Sequence, residues 1–290
     1  MLFNEPLTDI IEKRTSCRSY ENQPIDDQKK IQLIDMISKA SNNLPFNSAI
    51  RFELIAATEN NKNELNNLST YGMVKNAAGF IIGAVQQSSK DMEDFGYAME
   101  KIILYATHID LGTCWLGGTF SKSSFANKIS AKEGETVPAV TAVGHKKKKR
   151  TTLDTVIRWA AGSKNRHPWD KIFFVENFQT PLEKIDSVTY NIPLEMLRLA
   201  PSASNKQPWR IIKEKKKNVF HFYIQRSKTY KRNIELLKLA DLQRIDIGIA
   251  MCHFELTALE ANLKGSWVED DPLIEDLPEM TEYIVSWKSS

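Results

Sequence analysis

The sequence has little cysteine: three residues in 290, Cys17, Cys114 and Cys252, with no Cys-x-x-Cys spacing. An odd, scattered set excludes a complete disulfide framework and gives no zinc-binding pattern, so a reducing cytoplasm is the simpler expectation. Nor is there a run of about eighteen apolar residues, and no transmembrane helix is expected. The opening Met1-Leu2-Phe3-Asn4-Glu5-Pro6 has neither a basic n-region nor an apolar h-region and does not read as a secretory signal. Histidine is scarce, with five residues and no His-x-x-x-His or His-Glu-x-x-His pair, so no metal site is expected. His221 falls in a strand pattern, and His108 and His253 in helical ones. No Gly-x-Ser-x-Gly or Walker sequence occurs. Charge of one sign is missing too. The 39 Lys plus Arg against 36 Asp plus Glu leave a net +3, too balanced to imply a nucleic-acid partner. Two basic runs, Lys146 to Arg150 and Lys213 to Lys217 with Glu214 inside it, lack interleaved aromatics and read as solvated turns beside strands.

What remains is an ordinary globular composition, 42% hydrophobic and 26% charged, with an imperfect internal repeat. Asp94-Phe95-Gly96-Tyr97-Ala98-Met99 aligns with Asp246-Ile247-Gly248-Ile249-Ala250-Met251 at an offset of 152. The register persists without a gap: Leu104 meets Leu256, Ala106 meets Ala258, Leu111 meets Leu263 and Trp115 meets Trp267. Upstream, Ala40 falls near Ala200 and Arg51 near Arg210 at an offset close to 160, which a small indel explains. Both repeated blocks carry apolar residues at helical spacing and read as long helices. A glycine kept mid-helix in both copies costs stability, so it points to close packing, as between paired central helices at a two-fold-like interface.

Strand-type runs surround these helices at Arg51 to Ala57, Gly79 to Val85, Val137 to Gly144, Val219 to Ile224 and Tyr283 to Trp287. Helices are predicted at Leu7 to Lys13, Asp27 to Ala40, Leu194 to Leu199 and Asn233 to Leu242. The stretch Thr152 to Phe178, weakly periodic, reads as a tail of the first half that crosses toward the second. The expected fold is α+β, built as two tandem related halves, 1–178 and 179–290.

Two segments carry candidate chemistry. Arg14-Thr15-Ser16-Cys17-Arg18 sets two guanidinium forks and a hydroxyl close together, which suits an anion such as phosphate; the alternative is an exposed helix C-terminus, where arginine is common. Ala200-Pro201-Ser202-Ala203-Ser204-Asn205-Lys206-Gln207-Pro208-Trp209-Arg210 packs small hydroxyls and amides between two prolines. That makes a rigid polar loop able to present donors to a ligand, or an ordinary helix-to-strand turn.

Taken in order, these segments resemble the FMN-dependent nitroreductase family. Arg14-Thr15-Ser16-Cys17-Arg18-Ser19-Tyr20 is similar to its opening Arg-x-Ser-x-Arg phosphate motif. Pro201 to Trp209 is similar to its Pro-Ser-x-x-Asn-x-Gln-Pro-Trp loop. Leu111-Gly112-Thr113-Cys114-Trp115-Leu116-Gly117-Gly118 resembles the segment that runs along the flavin ring. Lys164-Asn165-Arg166 resembles a late Lys-x-Arg pair that reaches the phosphate. The departures matter as much. Where the family's Pro-Ser loop would fall in the first half, the chain reads Ala40-Ser41-Asn42-Asn43-Leu44-Pro45-Phe46-Asn47, without Gln-Pro-Trp. No Arg-x-Ser-x-Arg precedes Leu194. The second flavin-flanking copy, Leu263 to Asp270, has Glu269-Asp270 in place of the paired glycines.

The resemblance implies a nitroreductase-like fold, a pseudo-dimer with mixed or antiparallel sheets and long central helices, fused in one chain and able to work as a monomer. It implies one FMN per chain at the seam of the halves. Arg14, Thr15, Ser16, Arg18, Lys164 and Arg166 would face its phosphate. Trp115, Leu116, Gly117 and Gly118 would lie by the ring, where glycine permits close approach. Pro201, Ser202, Ala203, Ser204 and Asn205 would contact the flavin from the second half. Chemistry would be carried by the flavin, with no catalytic side chain and no metal. NADH or NADPH would be the donor and a nitroaromatic, quinone or similar small molecule the acceptor, with Tyr71, Trp115 or Trp209 lining that space or serving as core. Neither nucleic acid nor membrane would be a partner. Two alternatives stay open: a flavin protein of other chemistry, such as a dehalogenase or flavin-consuming enzyme, and a non-catalytic FMN-binding scaffold.

Overall fold

The computed structural model describes residues 3–58, 62–147, 165–226 and 240–290. Two compact units form, Met1–Gly162 and Ser163–Ser290.

In unit 1, helices α1 (Leu7–Lys13) and α2 (Asp27–Ala40) are followed by strands β1 (Ile50–Ala56) and β2 (Gly79–Gln86), then the long helix α3 (Asp91–His108). Strand β3 (Gly112–Leu116), helix α4 (Lys122–Lys128), strand β4 (Glu135–Thr136) and strand β5 (Val140–Gly144) complete the described part. The sheet is antiparallel, in the order β1-β2-β5-β3, with β4 beside β2. The predicted strand from Val137 begins later because Pro138 has no N–H for a ladder, and β4 and β5 lie on either side of it. Strand β2 is buried on both faces from Gly79 to Val85, which fits its unbroken apolar run. Gly83 matters there. A Cβ at this position would come within 2.4 Å of the Phe52 ring and 2.5 Å of the Phe95 ring, so glycine lets that ring pair, 5.5 Å between centroids, join α3 to the sheet.

In unit 2, strand β6 (Phe173–Val175) precedes helix α5 (Asn191–Arg198), strands β7 (Trp209–Lys213) and β8 (Val219–Gln225), the long helix α6 (Leu242–Glu260), and strands β9 (Gly265–Val268) and β10 (Thr281–Ser289). The order is β6-β7-β8-β10-β9, with β6 parallel to β7 and the other pairs antiparallel. The fold is therefore the expected α+β with mixed and antiparallel sheets and two long helices. Helix α5 starts earlier than predicted because Pro193 sits in its first turn, where a missing N–H costs nothing. Asp241 caps α6, its side chain accepting from the amides of Gln243 and Arg244. Most of the predicted helix at Asn233 to Leu242 lies outside the described residues, and Leu242 itself opens α6.

The described part of the crossing tail, 165–178, reaches the second sheet, where Phe173–Val175 pairs with Ile211–Lys213, and the compact units divide at Gly162 rather than at 178. The basic runs also differ from solvated turns. Lys213 is buried and its Nζ donates to the carbonyls of Glu214 (2.8 Å) and Lys217 (3.0 Å), closing the turn, while Lys215 to Lys217 are exposed. Lys146 is half-buried against Gly112, and burial, joined by the nearby charge of Lys13, lowers its pKa. Lys148 to Arg150 lie outside the described residues. No helix of the described residues is long and apolar enough to cross a membrane.

The repeat is visible in three dimensions. At the ends of α3 and α6 the residues Asp110 and Asn262 both adopt φ 59°. Leu111 N–H then reaches the Ala106 carbonyl and Leu263 N–H the Ala258 carbonyl, each at 2.8 Å, the helix-ending pattern that a left-handed residue permits.

Candidate functional site

Helix α1 stops at Lys13, and Arg14 turns to extended backbone with ψ 122°. The chain then runs as an edge segment. Cys17 N–H donates to the Thr113 carbonyl (2.7 Å), Lys75 N–H to the Arg18 carbonyl (2.9 Å) and Tyr20 N–H to the Lys75 carbonyl (3.1 Å). Ser16 makes a parallel bridge with Thr113 on β3. In extended chain alternate residues share a side, so the spacing Arg14, Ser16, Arg18 serves one side of a strand rather than one face of a helix. Cys17 points the other way, toward Gly112 and Lys146. Thr15, Ser16 and Arg18 are half-buried.

Arg14 is not an exposed helix-end arginine. Its side chain is 8% exposed, and Nε lies 3.6 Å from Oε1 of Glu100, a fully buried carboxylate on α3. The other Glu100 oxygen accepts from Trp115 Nε1 at 2.7 Å. One carboxylate thus connects the opening motif to β3. Past the end of β3, Gly117 is half-buried and Gly118 exposed. A Cβ on Gly118 would meet nothing within 4 Å, so a planar group can approach that backbone.

Unit 2 assembles the Pro-Ser loop from within. Ser202 Oγ accepts from Gln207 N–H (2.8 Å), Asn205 N–H donates to the Ser202 carbonyl (3.0 Å), and Lys206 N–H to the Ala203 carbonyl (3.1 Å). Ser204, Asn205 and Gln207 all have positive φ, at 50°, 54° and 48°. Three such non-glycine residues store strain, and the surrounding bonds hold it. Asp246 Oδ1 accepts from Ala203 N–H (2.9 Å). The segment ahead of β6 grips the same loop. Arg166 donates to Asn205 Oδ1 (3.0 Å) and the Leu199 carbonyl (3.1 Å), Asn205 Nδ2 donates to the Asn165 carbonyl (2.9 Å), and His167 N–H donates to Gln207 Oε1 (2.8 Å). Ser204 is exposed, while Pro201, Ser202 and Ala203 are half-buried.

The expected residues therefore fall into two groups. Arg14, Thr15, Ser16, Arg18, Trp115, Leu116, Gly117 and Gly118 come together in unit 1. Arg166, expected with the first-half arginines, is instead bonded to Asn205 beside Pro201, Ser202, Ala203 and Ser204 in unit 2. Lys164 lies outside the described residues. Of the aromatics, Trp209 is fully buried core, Trp115 is tied to Glu100 and Tyr71 is 67% exposed. Sequence reasoning missed Glu100, for which no motif gives a signal. Asp94 and Asp246 were visible as repeated letters, not as loop clamps. Asp94 accepts from the amides of Phe46 (3.1 Å) and Ser48 (2.8 Å), as Asp246 does from Ala203. Burial raises the pKa of both, that of Asp246 well above the usual range.

Two sheets flanked by long helices, with these motifs at their ends, define a nitroreductase-like fold. The chain matches the family model described as "Putative TM nitroreductase" over residues 6–258, and it belongs to that family. A structure titled as a putative nitroreductase from Thermotoga maritima MSB8 is 18% identical, covers 98% of this chain and 93% of its own, and superposes with a TM-score of 0.57. An FMN-dependent nitroreductase from Clostridium difficile R20291 is 21% identical over 49% of this chain and 88% of its own, at a TM-score of 0.39. A nitroreductase with bound FMN from Bacteroides fragilis is 18% identical over 51% of this chain and 95% of its own, at 0.38. No curated protein matches the chain.

Proposed function

We propose that the chain is an FMN-dependent oxidoreductase with one flavin, and the observation that carries this is the Arg14–Glu100–Trp115 connection beside the open Gly118. The residues fit the group. Arg14, Ser16 and Arg18 offer forked and hydroxyl donors on one side of an extended segment, the chemistry that a phosphate monoester requires. Gly118 leaves backbone open to a flat ring. Thr15, Trp115 and Leu116 complete the unit 1 set. The resemblance assigns Pro201, Ser202, Ala203, Ser204 and Asn205 to the same flavin, and Arg166 now joins them from unit 2 through its bond to Asn205. Lys164 keeps only the role that the resemblance gives it.

Bound FMN would supply hydride transfer from NADH or NADPH to a small acceptor such as a nitroaromatic or quinone, in two half-reactions. The chain's own work is to bind, orient and exclude. Arg14 and Arg18 neutralise the phosphate, and Glu100 sets the pose of Arg14. The second copy is read as lost, and its geometry supports that. Asp270 N–H donates to Tyr283 Oη (3.0 Å), its carbonyl accepts from Ser286 Oγ (3.0 Å), and its carboxylate pairs with Lys288. Asp270 is therefore bonded back onto its own sheet, where unit 1 has the open Gly118. One flavin per fused chain would let a monomer work, and three cysteines outside any disulfide suit a reducing cytoplasm.

The test is direct. Purified protein should show a flavin visible spectrum or take up added FMN, and should then oxidise NADH or NADPH with a nitroaromatic or quinone. Arg18→Glu should abolish uptake. A colourless chain that ignores added FMN sinks the proposal. A chain that binds FMN yet turns over no donor favours the scaffold reading.

A further inference from the structure

We infer that Glu100 is a positioning residue for flavin binding, holding Arg14 and Trp115 in the arrangement that the phosphate and ring require; this rests on the flavin reading above. The argument begins with cost. Glu100 is 0% exposed in the middle of α3, and a carboxylate without water persists only with partners. It has Trp115 Nε1 at 2.7 Å and Arg14 Nε at 3.6 Å. Arg14 Nε is itself buried without a hydrogen bond, so the ion pair alone fixes that edge of the guanidinium. The Nη atoms make no hydrogen bond among the described residues and are the edge left for an anion. Glu100 thus sets the orientation of the fork while Trp115 leads directly into Leu116, Gly117 and Gly118.

Unit 2 supplies an internal control. Trp267 stands at the repeat position of Trp115, and its Nε1 also donates to a helix glutamate at 2.7 Å. That glutamate is Glu255, three residues further along its helix than the repeat position of Glu100, which holds the buried Cys252. Both units therefore place a helix carboxylate at the tryptophan. The unit 1 carboxylate also meets Arg14 of the opening motif.

The experiment compares Glu100→Gln, Glu100→Ala and Glu255→Gln. It reads FMN affinity by flavin fluorescence, melting temperature, and the indole N–H resonance of Trp115 by NMR. Glutamine keeps an acceptor for Trp115 and loses the charge that orients Arg14. Glu100→Gln is expected to keep the indole N–H protected and weaken FMN about tenfold, the scale of one charge-assisted contact. Glu100→Ala should lose both. Glu255→Gln should lower the melting temperature as Glu100→Gln does and leave FMN affinity within about twofold, since no Arg-x-Ser-x-Arg segment precedes Leu194 in the second copy. Trp115→Phe is the second route should Glu100→Gln not fold; it removes the indole donor and should also weaken FMN. Unchanged or tighter FMN binding in Glu100→Gln overturns the inference, because a carboxylate that merely repels the phosphate would bind better once neutralised. An equal loss in Glu255→Gln overturns it as well. Wild-type protein that takes up no FMN sinks the flavin reading itself and this inference with it.

Discussion

Helices α3 and α6 end alike and then part company. Each closes on a left-handed residue and the same 2.8 Å helix-ending bond. Each is followed by a short strand whose tryptophan donates to a helix glutamate. Beyond that strand, unit 1 has Gly117-Gly118 with open space at Gly118, whereas unit 2 has Glu269-Asp270, of which Asp270 is bonded back onto β10 by Tyr283, Ser286 and Lys288. The difference shows how a duplicated scaffold divides labour. The packing that terminates a helix and anchors a strand is retained in both copies, because it carries the fold. The next two positions differ, glycines in unit 1 and carboxylates in unit 2, and in the proposed reading that difference governs whether a flavin can approach.

The loops before β1 and β7 make a second contrast. Asp94 takes two backbone amides and Asp246 one, with Asp246 Oδ2 buried and without a hydrogen bond. Downstream, Arg51 is neutralised by Glu53 and Glu135 at 2.8 Å each, while its counterpart Arg210 bonds, among the described residues, to the Gln207 and Trp209 carbonyls. Burial lowers the pKa of Arg210 to about 10. Each loop is thus held by one aspartate, and the Pro-Ser loop has in addition the side-chain bonds of Arg166, Asn205 and Gln207.

The cores offer the largest effect for breaking the comparison. Phe254 lies at 5.4 to 6.1 Å from the rings of Phe220, Phe222, Trp267, Trp287 and Tyr190. Its repeat partner in α3 is the buried Ile102. Phe254→Ala should cost about 3–5 kcal/mol in urea unfolding, and Ile102→Ala somewhat less, as the smaller cavity. Equal costs would mean that the two cores are packed alike. Next comes the exchange of outward residues. Writing unit 2's pair into unit 1, as Gly117→Glu with Gly118→Asp, should weaken FMN by about a hundredfold, roughly 2.7 kcal/mol, with little change in melting temperature. Retained binding would remove the glycines from the site.

Smaller effects test the clamps. Asp246→Ala leaves the Ala203 amide without its acceptor and should cost about 1–3 kcal/mol. Asp246→Asn keeps an acceptor and removes a group whose folded pKa is raised. Such a group favours the fold below its unfolded pKa, and that contribution is lost as pH rises. Wild-type stability should therefore fall relative to Asp246→Asn as pH rises above the ordinary aspartate range of about 4, and parallel curves would show that Asp246 is not buried as described. The smallest effect lies in unit 1, where hydrogen bonds from Arg51 hold Glu135 at about 2 against an ordinary 4.5. This stability is present above pH 4.5 and lost as pH falls toward 2. Arg51→Ala should abolish that acid dependence at a cost of about 1 kcal/mol or less, because solvent screens the pair.

By itself the sequence determined the repeat, the class of fold and the order of the motifs. Helical periodicity, apolar strand runs and a constant offset are local or additive signals, and they survive in a linear string. Leu7–Lys13 and Asp27–Ala40 were legible to the residue. Strands β3, β6 and β9 were not, because short strands depend on partners distant in sequence. Nor was the allegiance of Arg166, which one parallel strand pairing and its bond to Asn205 assign to unit 2. Above all, only tertiary structure decided that Glu100, a letter with no motif around it, lies beneath both Arg14 and Trp115. A buried carboxylate is defined by the partners that compensate its lost hydration, and these two come from elements separate from its own helix, the segment after α1 and strand β3.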